Sequence, residues 1–545
     1  MESPEERSVE LVALNNPIVS KTILKPLKIS RSKINFSNFQ ILEKIFEQSS
    51  ATLKNCRLVC HFWNEIVLSL PNTRLVLNLT NKDDDYEKDP VPFFQLCLTL
   101  DERLSKRISC AGATYRFAAK LMHLCHIFSD QVQILETLIE TGDYLPSIFH
   151  VFKHSCPNLK QFRINCIFNN AEDIPTGEIL VAPLPQKPNL TVFELNSEQS
   201  SPALTSFIQL VVNASPNLRK VTLPWGSYPD LKNSKFLDSL TLKLDHMRPP
   251  DISLRDLKPL DLARLLNQVG DQLVHLSFSY IYANSRFSME DNYDLDNSTS
   301  SGFRLPRKMS KLRTYKNDLI DIIQHADLWQ DIVGMPALES FKIGKICKKS
   351  TSMDAILKKL LETKRILTNV TDLNINELYD PKLLEGLKTA FPNLTTLALD
   401  TFHKKEMGGM ELGVVLKACA GLDTLNHFHL WLPTYPERMR DTIEALLIGR
   451  DLYKKLNSLV IDTYRKNEIG RDFKHHEMDA FKELLVSMKE MDQVIINDLY
   501  VGDETLRNVL EFKCQKRCPY RDLSFFKWDG HGWSIPATPT TSGEN

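Results

Sequence analysis

The chain has 545 residues, 42% of them hydrophobic and 25% charged, with 67 basic against 68 acidic residues and a formal net charge of -1. That composition belongs to a globular chain long enough for several domains or one extended array. No basic excess points to nucleic acid or to an anionic membrane surface, and no stretch approaches the roughly 20 apolar residues that span a bilayer.

Residues 1–33 are polar and are expected to form a flexible segment. The opening MESPEERSVELVALNNP is acidic and lacks the basic stretch and apolar core of a secretory signal. The eleven cysteines are therefore expected to be reduced thiols of a cytoplasmic or nuclear protein. The basic run Lys25–Lys33 reads as a solvated linker before it reads as a nuclear import signal. Next comes FQILEKIFEQ, in which Ile41, Leu42, Ile45 and Phe46 share one helical face, with Ser37 or Asn38 as N-cap. A second helix is expected from about Leu53 to Leu68. Its apolar stripe would be Cys56, Val59, Cys60, Trp63, Ile66 and Val67, with the cysteines as small buried hydrophobes.

Over residues 34–73 this pair of helices resembles an F-box: an apolar helix ending in Ile-Phe, a leucine, then Val-Cys-x-x-Trp. The matching residues are Ile41, Leu42, Ile45, Phe46, Leu53, Val59, Cys60 and Trp63, and Ser37-Asn38 stands where the family has Leu-Pro. The resemblance implies a three-helix module that docks on a Skp-family adaptor and through it on a cullin. Apolar anchors would bury into the partner. Which of the eight residues form the module's own core and which the interface stays open. A plainer reading is a helical hairpin that caps an array of repeats.

Residues 74–129 read as a linker and the N-terminal part of a solenoid, with RLVLNL as a strand and Asp83–Asp85 as a solvated loop without the ligand spacing of a calcium site. From 130 to 512 the chain repeats itself. CPNLKQFRI, KPNLTVFEL, SPNLRKVTL and FPNLTTLAL begin at Cys156, Lys187, Ser215 and Phe391, with MPALESFKI at Met335 as a near relative. Weaker copies start at Val132, Leu237, Leu273, Val370, Leu425 and Leu456, and a degraded one surrounds Leu312. Most intervals between copies are 19 to 36 residues, a solenoid period. In each copy the alternate apolar residues, such as Phe162 and Ile164, would face one side of a strand. The proline would end the preceding helix, as after LPSIFHVFKHS, LTSFIQLVVNAS and PKLLEGLKTAF.

This pattern resembles the irregular leucine-rich repeat. The fold class expected is therefore α/β: an N-terminal three-helix F-box followed by a curved leucine-rich-repeat solenoid, with parallel strands concave and helices convex. Residues 283–311 form a polar insertion and 513–545 a C-terminal tail, both expected to be unstructured in part.

Other clusters carry little. Cys514 and Cys518 with His531 are one ligand short of a zinc site. His475-His476-Glu477 does not make HExxH and reads as a solvated helix start. GxxxxGK[ST], GxGxxG and GxSxG are absent from the sequence, so no catalytic residue, cofactor or metal is expected.

An F-box followed by leucine-rich repeats implies the substrate-recognition subunit of a Skp–cullin–F-box ubiquitin ligase, itself non-catalytic. It would hold a protein substrate for ubiquitination ahead of proteasomal degradation, with no nucleic acid or membrane partner. The alternative is a leucine-rich scaffold without ubiquitin transfer. Outward strand positions are the candidate substrate-facing residues: Lys160, Gln161, Arg163, Arg219, Lys220, His275, Lys342, Asp372, Asn374, His427 and His429. Their basic lean in the early repeats suits an acidic or phosphorylated partner patch.

Overall fold

The computed structural model describes residues 56, 59–69, 76–80, 91–112, 115–168, 183–197, 200–246, 258–282, 304–320, 328–344, 353–401, 410–463 and 474–497. Outside them lie segment 1–33, the first expected F-box helix with Ile41, Leu42, Ile45 and Phe46, then Leu53, Asp83–Asp85, most of the 283–311 insertion, Cys514, Cys518, His531 and the tail 513–545. The chain forms two compact units, residues 1–247 with 255–272 and residues 248–254 with 273–545.

The first unit contains β1 (Leu77–Thr80), β2 (Arg107–Gly112), β3 (Ile134–Ile139), β4 (Gln161–Cys166), β5 (Val192–Ser197), β6 (Lys220–Pro224) and β7 (Ser239–His246). Each pairs in parallel with the next in the chain. Between and around them run α1 (His61–Ser69), α2 (Val91–Thr99), α3 (Tyr115–Ile127), α4 (Leu145–His154), α5 (Pro202–Ala214) and α6 (Pro259–Val269). The second unit repeats the plan with β8 (His275–Tyr282), β9 (Thr314–Asn317), β10 (Ser340–Ile343), β11 (Asp372–Ile375), β12 (Thr396–Asp400), β13 (His427–Leu432), β14 (Ser458–Thr463) and β15 (Gln493–Ile496). These too pair in parallel and in chain order. Its helices are α7 (Leu328–Val333), α8 (Met353–Glu362), α9 (Lys382–Ala390), α10 (Leu412–Cys419), α11 (Met439–Ile448), α12 (Arg450–Tyr453) and α13 (His475–Ser487).

Every copy of the repeat noted in the sequence, including the degraded one around Leu312, forms a strand. The register explains why. The inward residues Leu276, Tyr315, Phe341, Leu373, Leu397, Phe428, Leu459 and Val494 lie side by side across the second unit. All are buried to within about 1% exposure. In the first unit Leu159, Phe162 and Ile164 are likewise buried, and Phe162 stacks on Phe152 at 5.2 Å and meets Phe193 at 6.0 Å. Burying such side chains drives the assembly, at about 1.5–3 kcal/mol each. Two strands upstream of residue 130, β1 and β2, already belong to the sheet.

The asparagine of the Pro-Asn-Leu lead-in has a structural task. Asn158 donates to the carbonyl of Asp130 at 2.9 Å, Asn217 to Pro188 at 2.8 Å and Asn393 to Thr368 at 2.8 Å. Each side chain thus ties its turn to the turn of the repeat before, satisfying a carbonyl that no strand partner reaches. Helix starts are equally local. Ser201 accepts from the Leu204 amide at 3.2 Å, and Pro202 occupies the first turn of α5.

At the position before the proline, most copies place Cys156, Ser215, Met335 or Phe391, all buried. The copy at Lys187 buries an ammonium instead, at 3% exposure. Its Nζ donates to the carbonyls of Ser155 at 2.6 Å and Cys156 at 3.3 Å and sits 5.1 Å from the Phe152 ring centroid. Those carbonyls follow the C-terminus of α4, where a cation is favoured. Burial nonetheless pushes the Lys187 pKa down.

The expected second F-box helix differs from the sequence reading. Cys56 is helical, Val59 lies in a turn, and α1 begins only at His61. Val59 is 61% exposed and Cys60 is exposed, so neither joins the buried stripe. The physical reason is a break in the helix. The Cys60 sulfur accepts from the Trp63 amide at 3.5 Å, as an N-cap side chain would. Beyond the break, Ile66, Val67 and Leu68 are fully buried. Glu65 makes two hydrogen bonds to Arg103, at 3.0 and 3.2 Å, on the turn Glu102–Lys106 that leads into β2. The Arg103 guanidinium holds the Glu65 carboxyl below its ordinary range.

Candidate interaction surface

Strand residues alternate between buried and partly exposed, as in the iBiBiB burial of β3 and β5. Pairing in register therefore turns each outward position into a row across neighbouring strands. In the first unit the central row reads Ser109, Glu136, Arg163, Glu194, Thr222 and Thr241.

Around that row an ion-pair ladder crosses five strands. Arg107 meets Glu136 at 3.0 Å, Glu136 meets Arg163 at 2.6 Å, Arg163 meets Glu194 at 3.3 Å, and Glu194 meets Lys220 at 2.7 Å. Each carboxylate is shared by two cations. Next to it Asn196 donates to Asn165 at 2.6 Å.

Of the residues selected from the sequence in this unit, Gln161, Arg163 and Lys220 lie on outward strand positions, with Lys160 and Arg219 exposed just ahead of β4 and β6. The ladder reduces the expected basic lean here without removing it: Glu136 and Glu194 stand against Arg107, Arg163 and Lys220, while Lys160 and Arg219 stay exposed. Those two carboxylates were missed. The signal for them was available: the middle residues of ILETL, QFRIN and VFELN alternate in sign from one copy to the next. Outward residues chosen one repeat at a time do not reveal such pairing.

In the second unit His275, Asp372, His427, Lys342, Asn374 and His429 all occupy outward positions. Lys342 is not a free cation. It lies 3.4 Å from Asp318, which also holds Lys316 at 2.9 Å. Asp372 accepts from the Ser340 hydroxyl at 3.1 Å. His429 is 2.5 Å from Asp462 through Nε2, and its ring lies over Trp431 with centroids 3.4 Å apart. Asn497 also donates to Asp462. Burial pushes the Asp462 carboxyl up, but the His429 and Asn497 hydrogen bonds outweigh it and hold the group below its ordinary value. Trp431, Asp462 and Asn497 are further additions to the sequence-based set.

Near the N-terminus, Trp63 is half-buried in α1, while Val59 and Cys60 stand exposed beside it. Among the described residues no three of His, Cys, Asp and Glu are grouped to hold a metal ion. No described helix is long and apolar enough to cross a membrane.

No protein-family model matches the sequence, and no curated protein matches it significantly. Solved structures do match. The TLR13–ssRNA13 complex aligns over 78% of this chain and 55% of its own, at 12% identity and a TM-score of 0.38. The leucine-rich repeat-containing protein LegL7 from Legionella pneumophila aligns over 72% of this chain and 94% of its own, at 13% identity and a TM-score of 0.24. The present chain thus spans about half the length of the TLR13 chain. The repeated helix–turn–strand units and their in-register parallel strands carry the fold assignment by themselves: an α/β fold of leucine-rich-repeat type.

Proposed function

We propose that this chain is a non-catalytic receptor whose outward sheet positions hold a protein partner, and that its N-terminal residues 34–73 tether it to a Skp-family adaptor and a cullin. On this reading it selects substrates for ubiquitination. The observation that carries it is the division of labour along each strand. Inward positions are sealed into the core, whereas outward positions hold most of the strands' charged, amide and imidazole side chains, interspersed in the second unit with Ala398, Val460 and Ile495. Repeat arrays use such extended surfaces to bind other proteins. The exposure of Val59, at 61%, supports the tethering half, because an anchor reserved for a partner is left uncovered in the chain alone. Holding a substrate beside a conjugating enzyme would raise the rate by proximity.

A second reading, a leucine-rich scaffold without ubiquitin transfer, has its own support. Ile66, Val67 and Leu68 pack into the first unit, and Glu65 is bonded to Arg103, as in a helix that caps the end of a repeat array. Ser37-Asn38 also replaces the Leu-Pro of the F-box pattern. Co-purification separates the two. Wild type should bring down a Skp-family adaptor, and a Phe46→Ala, Trp63→Ala variant should lose it. Failure of the wild type to retain the adaptor eliminates the ligase reading and leaves the scaffold.

A further inference from the structure

The outward faces of β11–β15 differ in character from the ladder of the first unit. Among their described residues there is no lysine or arginine, while Asp372, Asp400 and Asp462 all face outward. The register sets one aromatic residue between two of these carboxylates. Trp431 of β13 pairs with Asp400 of β12 on one side and with Asp462 of β14 on the other. Adjacent strands lie about 4.8 Å apart, so a group seated on Trp431 is within reach of both carboxylates.

The ring is held in place. His429 lies against it at 3.4 Å, and the same His429 contacts Asp462 at 2.5 Å. Asn497, just after β15, secures Asp462 from the neighbouring repeat. An indole is the best aromatic platform for a cation, because the face of its π-system is negative. Flanking carboxylates add Coulomb attraction and hydrogen-bond acceptors suited to a guanidinium or an ammonium.

We propose that Trp431, with Asp400 and Asp462, is the seat for an arginine or lysine side chain presented by a basic segment of the docked protein partner. This rests on the reading of the sheet face as a docking surface, and it assigns partner chemistry to one part of that surface. It gives β11–β15 a partner chemistry opposite to the acidic or phosphorylated patch that the basic lean of the early repeats suits. A phosphorylated segment placed on β11–β15 would face three carboxylates and no described lysine or arginine.

The test uses the full-length chain and an acetylated hexa-arginine peptide as probe, with hexaglutamate as control, followed by isothermal titration calorimetry. Wild type should bind hexa-arginine and not hexaglutamate. Trp431→Ala and Asp400→Asn should each weaken binding by about five-fold or more, with Trp431→Phe in between. Thermal melts by circular dichroism check that each variant folds; if Trp431→Ala does not, Asp400→Asn and Trp431→Phe decide. Equal hexa-arginine affinity in wild type and the variants overturns the proposal, as does tighter binding of hexaglutamate. So does self-association of the wild type that Trp431→Ala abolishes without any peptide binding, since the occupant would then be a second copy. Failure here leaves the adaptor reading intact, because adaptor co-purification does not depend on Trp431.

Discussion

Lys364 follows α8 with a backbone φ of 50° and an exposed side chain. A left-handed conformation costs an L-residue roughly 1–2 kcal/mol, and glycine escapes that penalty at a smaller entropic loss. Lys364→Gly should therefore stabilise the second unit by about 0.5–1 kcal/mol in urea unfolding. Lys187 makes a pH-dependent prediction. Its folded pKa lies below the ordinary 10.5 because burial disfavours the ammonium. Between the depressed value and 10.5 the folded state binds fewer protons than the unfolded chain. Stability from this group must then rise with pH across that window. Lys187→Met removes the titration. The stability of wild type relative to Lys187→Met should increase as pH is raised toward 10.5, and a flat difference would show that the ammonium is not desolvated.

At the scale of the element, strand pairing converts single charges into a ladder. Glu194 accepts two cations from neighbouring strands with its own side chain only 14% exposed. Glu194→Gln should cost about 1 kcal/mol or less, since partly exposed pairs contribute little each, and the loss should shrink in high salt. A salt-independent loss would assign the effect to packing. The strands themselves were legible because the Pro-Asn-Leu lead-in and the alternating apolar residues are local signals. Even the copy around Leu312, with Tyr315 in place of an aliphatic residue, keeps the inward spacing. The entry into β2 is less legible: it comes from the turn Glu102–Lys106 rather than from a proline, and QVII of β15 lacks the asparagine turn. α1 was misread at its start, since Cys56, Val59, Cys60 and Trp63 keep helical spacing across a point where the backbone breaks and Cys60 caps a new helix.

At the scale of the whole molecule, each unit separates a sealed apolar inner side from a mixed, partly exposed outer side, and that separation is what the repeat pattern specifies. Which outward residues matter was only half legible. Choosing outward polar residues one at a time found His427 and His429. It passed over Trp431, which carries no polar signal within HFHLWL, and it passed over the carboxylates that pairing brings beside each cation. Those relations exist only across strands some 30 residues apart in sequence. The proposed function stands or falls with the outward strand face as the docking surface. Site-specific photo-crosslinking in cells tests it most directly. A photoreactive amino acid is placed at Gln161 and Asn374 on the strands, and at Leu260 and Ile448, which are 85% and 52% exposed on helices. Docking on the strands should give discrete protein adducts from the strand positions and none from the helix positions; adducts confined to Leu260 and Ile448 would place the docking surface on the helices instead.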